Sequence, residues 1–512
     1  MIAFIEPISK NVGMYIPAYP LPIMEIASYA RSKFPDLPLR VISIPVDYGL
    51  PLSREGKDKI YGEVLKDLFD MHPIGVGISC TAIAQAEEVI HLCELIKKKD
   101  PGLFVFIGGY FPTIYYEDVL SRTSAVDAIV LGEGEVPTVA IIERLQKGQN
   151  PIDETVPNLV WKRDGQIHFT QMGERFDLRQ KALLDLDLLK FPKAYEILPY
   201  AFSRGCPYHC TFCMEESMRP IRKEVPEEIV RKDLKNLSRQ SSAQTLLVSD
   251  ALFKSFDLLP FIRSLGMKVN FETRSDVLDP VIIPGIADAC EALALGFESA
   301  SYSTLKRMNK VRDRNHYEHY ISNTKAIFRQ AVAHEIPIMV FMIAGFPGDT
   351  VEDLEESLAF AEELSESSGS GGHVFKIGEC RVYPKTRLHE MVSYMSDVHF
   401  DDNGVFGDNI VTRPSRDLDF DTVVDFMKKI FDLSHNTPSL RKSLLKLMPF
   451  FRLTPQALGD EMIPDTCFLD QGREIFNAKP ESLSAFREIA PILNKKYTES
   501  MSGPRSTRHL PL

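Results

Sequence analysis

The sequence predicts an α/β protein in three parts: an N-terminal doubly wound parallel-sheet domain, a partial (β/α)6 barrel and a mostly helical C-terminal region. Three observations predict it. Two separate series of short, almost wholly apolar runs alternate with amphipathic stretches, the pattern of parallel strands covered on both faces by helices. Between the two series, residues 151–195 break the alternation. Beyond about Arg413 the apolar spacing turns helical. A length of 512 residues also suits about three domains.

The first series fills 1–150. "IAFIEPI" (2–8) reads as a strand, "LPIMEIASYARSKF" (21–34) as a helix, "LRVISIPV" (39–46) as a strand and "DKIYGEVLKDLFDM" (58–71) as a helix. The strand "IGVGIS" (74–79) precedes the helix "QAEEVIHLCELIKKKD"; "LFVFIGG" (103–109) and "VDAIVLG" (126–132) are further buried strands, and the last helix ends near Lys147. Small residues collect after three strands, in "SCT" (79–81), "GGYFPT" (108–113) and "GEGE" (132–135), where a doubly wound sheet binds its ligands. No GxGxxG and no P-loop is present, which weighs against a dinucleotide or ATP.

Residues 151–195 read as a connector with a small hairpin around Asp164-Gly165. The second series occupies 196–390. Its strands are "LPYAFS" (198–203), "TLLVSD" (245–250), "KVNFETR" (268–274), "ALALGFE" (292–298), "IPIMVFMIAG" (336–345) and "HVFKIGECRVY" (373–383), with a flexible tract expected at "SESSGSGG" (365–372). Such units form a barrel or part of one, with the site at the C-terminal strand ends. The region 391–500 contains "FDTVVDFMKKIFDLS" and "SLRKSLLKLMPFFRL" (439–453). The latter is basic on one side and apolar on the other, suiting a helix that caps the barrel, or else contact with a membrane or a greasy substrate. The tail, 501–512, is expected to be disordered.

Composition narrows the partners. Hydrophobic residues make up 44% and charged residues 25%, which is ordinary globular usage, and the net charge of −12 gives no general attraction to nucleic acid or an anionic membrane. No apolar run approaches the ~20 residues of a membrane helix, and "MIAFIEPISKNVG" reads as a first strand, not a signal peptide, so a cytoplasmic location is expected. In that compartment clustered cysteines suggest metal or redox chemistry before disulfides.

Three of the eight cysteines, Cys206, Cys210 and Cys213, lie within "SRGCPYHCTFC", at the end of the first strand of the second series. Thiolates hold soft metals and iron–sulfur clusters. A structural zinc site would need a fourth ligand, and His209, the only histidine of the loop, is poorly placed between two of the cysteines to join them. Three thiolates can instead hold three corners of a cluster and leave the fourth iron open to a substrate or cofactor. Cys80, Cys93, Cys290, Cys380 and Cys467 are widely spaced and read as small buried hydrophobes.

"CPYHCTFC", with CxxxCxxC spacing and the aromatic Phe212 before the last cysteine, resembles the motif of the radical S-adenosylmethionine (SAM) superfamily. The resemblance covers about 195–390. It implies a [4Fe-4S] cluster on Cys206, Cys210 and Cys213 whose open iron chelates SAM, reductive cleavage to a 5′-deoxyadenosyl radical, and an external electron donor such as flavodoxin or ferredoxin. "GFESASYSTLKRMNK" (296–310) is similar to the family's fourth-strand element, with Glu298-Ser299-Ala300 where Glu-Ser-Gly is usual. "IAGFPGDTVED" (343–353) resembles the fifth-strand element, whose Gly345, Phe346 and Pro347 would lie along the adenine. "SDALF" (249–253) matches a second-strand ending in place of Gly-Gly-Glu. Asp250, Arg274 and Glu298 would then orient SAM, the alternative being buried strand-end ion pairs.

The first 150 residues resemble the cobalamin-binding domain attached to many radical SAM enzymes, through "IPAYPLPIMEIASYA" (16–30), "GISCT" (77–81), "IGGYFPT" (107–113) and "VLGEGE" (130–135). The resemblance implies cobalamin across the strand ends, approached by Ser79, Thr81, Gly108, Gly109 and Gly132; His72, Tyr110 and Phe111 read as packing or capping residues. No DxHxxG motif supplies a histidine to cobalt, which implies a base-off mode. Glycines after strands also occur in doubly wound domains that bind no cobalamin.

Together these resemblances imply a cobalamin-dependent radical SAM enzyme that methylates an unactivated carbon of a small, possibly hydrophobic molecule through the 5′-deoxyadenosyl radical and methylcobalamin. A ring-forming or ring-rearranging enzyme of the same layout is the alternative. A methylthiotransferase would need a second N-terminal cysteine trio, whereas this domain offers only Cys80 and Cys93. The reading from another class, a non-catalytic cobalamin or iron–sulfur sensor, lacks an output module in the last ~100 residues.

Overall fold

The computed structural model describes residues 1–8, 18–49, 54–195, 197–368, 372–400 and 409–434. The basic apolar segment 439–453, Cys467, most of 391–500 and the tail 501–512 lie outside the described residues.

Seven strands form the first sheet: β1 (Ile2–Glu6), β2 (Leu39–Ser43), β3 (Gly75–Ser79), β4 (Phe104–Gly108), β5 (Ala128–Val130), β6 (Leu159–Arg163) and β7 (Gln166–Phe169). Their order is β2-β1-β3-β4-β5-β6-β7, with β1 to β5 parallel and β6 and β7 antiparallel. Because side chains alternate along a strand, Ala3, Ile5, Val76, Ile78, Val105 and Ile107 pack into one core with the helices 54–70 and 86–99. Ile2, Phe4, Phe106 and Val130 face the other way and share a second core with the rest of the molecule. The segment expected as a connector therefore lends its hairpin to this sheet. Asp164 (φ 52°) and Gly165 (φ 78°) close that hairpin in the left-handed conformation that a two-residue turn requires.

The second sheet has six parallel strands in chain order: β8 (Ile197–Tyr200), β11 (Thr245–Val248), β12 (Lys268–Arg274), β13 (Cys290–Glu298), β14 (Ile338–Ala344) and β15 (His373–Glu379). Its outer strands, β8 and β15, do not pair, so the barrel is partial. On β14 and β15 the residues facing outward are buried beneath helices, while Phe341, Ile343, Val374, Lys376 and Gly378 are partly accessible and mark the inner face. The run expected as one strand over 198–203 breaks at Ala201. After the break, β9 (Ser203–Arg204) turns away and pairs with β10 (Lys223–Glu224), bracketing the cysteine loop. The tract 365–372 is not all loop: a helix capped by Thr350 and Asp353 runs Val351–Ser367. The described C-terminal part comprises the strand pair His399–Phe400 and Val411–Arg413 and the helix Phe420–Asp432, whose Val423, Phe426, Met427 and Ile430 are buried.

Candidate active site

An open cleft lies between the two sheets and is lined from both. On one side lie the strand ends of the first sheet, with Ser79, Thr81, Gly108, Gly109 and Gly132; on the other lie Ser203, Arg204, Gly205, Met218, Arg219, Ser249 and Ala251 beside the cysteine loop. The five residues expected to approach cobalamin thus share one wall. A Cβ at Gly109 (φ 120°) would stand 2.4 Å from the Cys80 carbonyl oxygen, so only glycine permits this close crossing of two strand ends. At Gly132 (φ 70°) a Cβ would meet nothing within 4 Å, and Gly108 makes only ordinary contacts. Thr81 is partly committed, its N–H and hydroxyl both donating to Gln85 (2.9 and 3.1 Å). Gly77 and Gly134 also line the cleft, as do the apolar Leu21, Pro22, Ile26 and Leu131. An apolar-walled cleft floored by backbone and small side chains fits a large, flat ligand lying on strand ends.

The cysteine loop is held from several sides. The Cys206 N–H donates to the Arg219 carbonyl (3.1 Å), the Thr211 N–H to Met308 (3.0 Å) and the Cys213 N–H to Cys210 (3.1 Å). Cys210 is buried, Cys206 and Cys213 are half-buried, and none is in a disulfide. Burial pushes the Cys213 thiol up to about 12 and raises Cys206 too, so bound iron would displace protons from them. Among the described residues no three His, Cys, Asp or Glu side chains gather tightly enough for a single ion. Three free thiols on one anchored loop are the soft-donor set that an iron–sulfur cluster takes. His209 turns to Glu216 (3.2 Å).

The residues expected around SAM are brought to the same end of the barrel but engaged differently. Asp250 is buried, accepting from the Phe202 N–H (2.7 Å) and the Ser203 hydroxyl (2.5 Å), and so ties β11 to the strand leading into the loop. Burial pushes its carboxyl up to about 7 against those hydrogen bonds. Arg274 donates through Nη1 to the Cys210 sulfur (3.1 Å). Glu298 adopts φ 75°, rare for a side-chain-bearing residue, and pairs with the fully buried Lys310 at 2.7 Å. Gly345 (φ 71°) lies against Pro414 and Val423, and Phe346 and Pro347 are buried behind it. Ala300, where glycine is usual, is accommodated, its N–H donating to the Ser357 hydroxyl (3.1 Å). Phe212 is half-buried against the core. On the inner face, burial and the neighbouring Glu298 push Glu272 up to about 7, and burial draws Lys376 down to about 8.

Sequence reasoning missed a buried charge cluster joining the two halves. Arg204, one residue before the loop's Gly205-Cys206, pairs with Glu25 (2.9 Å) and Glu135 (2.5 Å) and lies 3.8 Å from Glu133. Tyr110 donates to Glu215, which also pairs with Arg219 (2.9 Å). The signal, an arginine directly before the cysteines and acids on distant helices, carries no periodicity.

Residues 200–361 match the radical SAM superfamily and residues 47–142 the B12 binding domain. The chain thus carries a radical SAM domain and a B12-binding domain. It is 26% identical over 237 residues to the anaerobic magnesium-protoporphyrin IX monomethyl ester cyclase of Synechocystis sp., covering 43% of this chain and 47% of that one. It is 29% identical over 233 residues to the hopanoid C-3 methylase of Methylococcus capsulatus, covering 43% of each. These matches span about half the length of the curated relatives. Among solved structures, the cobalamin-dependent S-adenosylmethionine radical enzyme OxsB with aqua-cobalamin superposes with a TM-score of 0.65 at 15% identity, over 97% of this chain and 81% of OxsB, which establishes the shared fold. A radical SAM domain carries a [4Fe-4S] cluster and uses SAM, and a B12-binding domain takes cobalamin. Among the described residues no helix is long and apolar enough to cross a membrane.

Proposed function

We propose that this protein is a cobalamin-dependent radical SAM methyltransferase acting on an unactivated carbon of a small molecule. One observation carries the reading: a single cleft is bounded by the glycine-rich strand ends of the B12-binding domain on one side and by the approach to the cysteine loop on the other. In this reading Cys206, Cys210 and Cys213 hold the cluster, while Ser79, Thr81, Gly108, Gly109 and Gly132 let backbone approach the corrin or its nucleotide tail. When bound, the cluster supplies an electron to SAM and cobalamin supplies the methyl transfer. The chain's own residues position and enclose. Arg204, fixed by Glu25 and Glu135, joins the cleft wall to the loop, and Asp250 anchors the strand that enters it. Glu298, Gly345, Phe346, Pro347, Phe212 and Arg274 shape the barrel mouth where SAM would lie. No general base is required. The electron comes from an external donor such as flavodoxin or ferredoxin.

Ring formation or rearrangement without methyl transfer is the second reading, supported by the likeness to the Synechocystis cyclase. The test is anaerobic incubation of the reconstituted protein with SAM and a strong reductant, with quantification of SAM-derived products. S-adenosylhomocysteine comparable to the bound cobalt, together with 5′-deoxyadenosine, supports the methyltransferase. 5′-Deoxyadenosine and methionine with no S-adenosylhomocysteine favours the second reading. Intact SAM contradicts both.

A further inference from the structure

We infer that Arg274 tunes the reduction potential of the cluster through the sulfur of Cys210, rather than serving chiefly as a contact for SAM. The inference rests on the reading of Cys206, Cys210 and Cys213 as cluster ligands. Arg274 ends β12, is 7% exposed, and directs Nη1 at the Cys210 sulfur from 3.1 Å. Its Nε and Nη2 are occupied: they grip the two oxygens of Asp276 (2.8 and 2.9 Å), and Nη2 also donates to the Lys310 carbonyl (3.0 Å). The guanidinium lies on the Tyr208 ring, 3.9 Å from its centre, within the cysteine loop itself. Asp276 is braced in turn by His316 at 3.2 Å. Of the five N–H groups of an arginine, four are thus committed, leaving one on Nη1 for any other ligand.

An arginine guanidinium keeps its proton in proteins, so the donor at the sulfur is a cation. A hydrogen bond from a buried cation withdraws charge from a thiolate ligand. It stabilises the cluster more after one electron has been added than before, because the added charge interacts strongly in a weakly polarisable surrounding. The couple concerned is the one-electron reduction of [4Fe-4S]2+ to [4Fe-4S]1+, the electron coming from the external donor. The arginine side chain therefore makes that reduction easier.

The test is a spectroelectrochemical titration, followed by electron paramagnetic resonance, of reconstituted wild type, Arg274→Gln and Arg274→Lys without SAM, each with iron counted. Arg274→Gln with about four irons should favour reduction tenfold less or worse, a midpoint ~59 mV lower for a one-electron couple. Arg274→Lys, which keeps the charge and one donor, should recover part of that shift. An unchanged midpoint in Arg274→Gln at full iron content, with SAM binding weakened, would return Arg274 to SAM and overturn the inference. Loss of iron from both variants while the wild type holds four would make Arg274 a loop-folding residue and overturn it equally. A wild type that takes up no cluster would instead sink the ligand assignment on which the inference rests.

Discussion

Cys206, Cys210 and Cys213 occupy one anchored loop, Cys210 buried and the other two half-buried. Replacing any one by alanine should abolish SAM cleavage and cut bound iron. Cys206→Ala and Cys213→Ala should leave the thermal unfolding midpoint within a few degrees, as expected for changes below ~1 kcal/mol, whereas Cys210→Ala also leaves a buried Arg274 N–H unpaired and should cost more. Normal 5′-deoxyadenosine yields from all three variants would dismiss these ligands. The glycines of the opposite wall separate into two kinds. Gly109→Ala places a Cβ 2.4 Å from the Cys80 oxygen and should destabilise the fold by ~2 kcal/mol or more, read by denaturant unfolding. A Cβ at Gly108 meets only ordinary contacts, so Gly108→Val should fold, yet obstruct the cleft, lowering cobalt retention at unchanged iron content. At this scale the sequence was informative where spacing carries chemistry, as in CxxxCxxC, or where small residues follow strands. It was silent on where Arg274 and Asp250 point. Those directions depend on Asp276, Tyr208, Ser203 and Lys310, which the sequence scatters over one strand and three loops or turns.

Among elements, the strand pair β9–β10 carries the greatest consequence, because it departs from the barrel to frame the cysteine loop and presents Arg204 to the helix starts of the first domain. Arg204→Met should leave Glu25 and Glu135 buried with less compensation and cost ~3–5 kcal/mol, measured by urea unfolding. A cost under ~1 kcal/mol would show that solvent already screens the cluster. Element types were legible because apolar strands and amphipathic helices have different periods. The break at Ala201 was not, since "LPYAFS" is continuously apolar up to its last residue and nothing local marks the turn. Nor did local pattern reveal that β6 and β7 join the first sheet, because their pairing with β5 is a tertiary contact.

For the whole molecule, several carboxyls raised by desolvation, Asp250 and Glu272 among them, couple stability to pH. Asp250 and Glu272 are both pushed up to about 7 by burial, so the folded chain keeps protons that an unfolded chain releases near pH 4. The stability they contribute is full below the unfolded values and is lost as pH rises from about 4 towards about 7. The thermal midpoint should therefore fall between pH 5 and pH 7.5. Asp250→Asn, which imitates the protonated form, should flatten part of that fall; an identical slope in the variant would contradict the shift at Asp250. The other whole-molecule property is the cleft, which requires both halves of the chain and which neither series of strands announces separately.

That cleft sets the decisive measurement. After anaerobic reconstitution with iron and sulfide, exposure to hydroxocobalamin and desalting, iron and cobalt are counted per chain. A two-cofactor cleft predicts about four irons and about one cobalt, with cobalt lost in Gly108→Val and iron lost in Cys210→Ala. Four irons with no cobalt retained by the wild-type chain would contradict cobalamin-dependent methyl transfer.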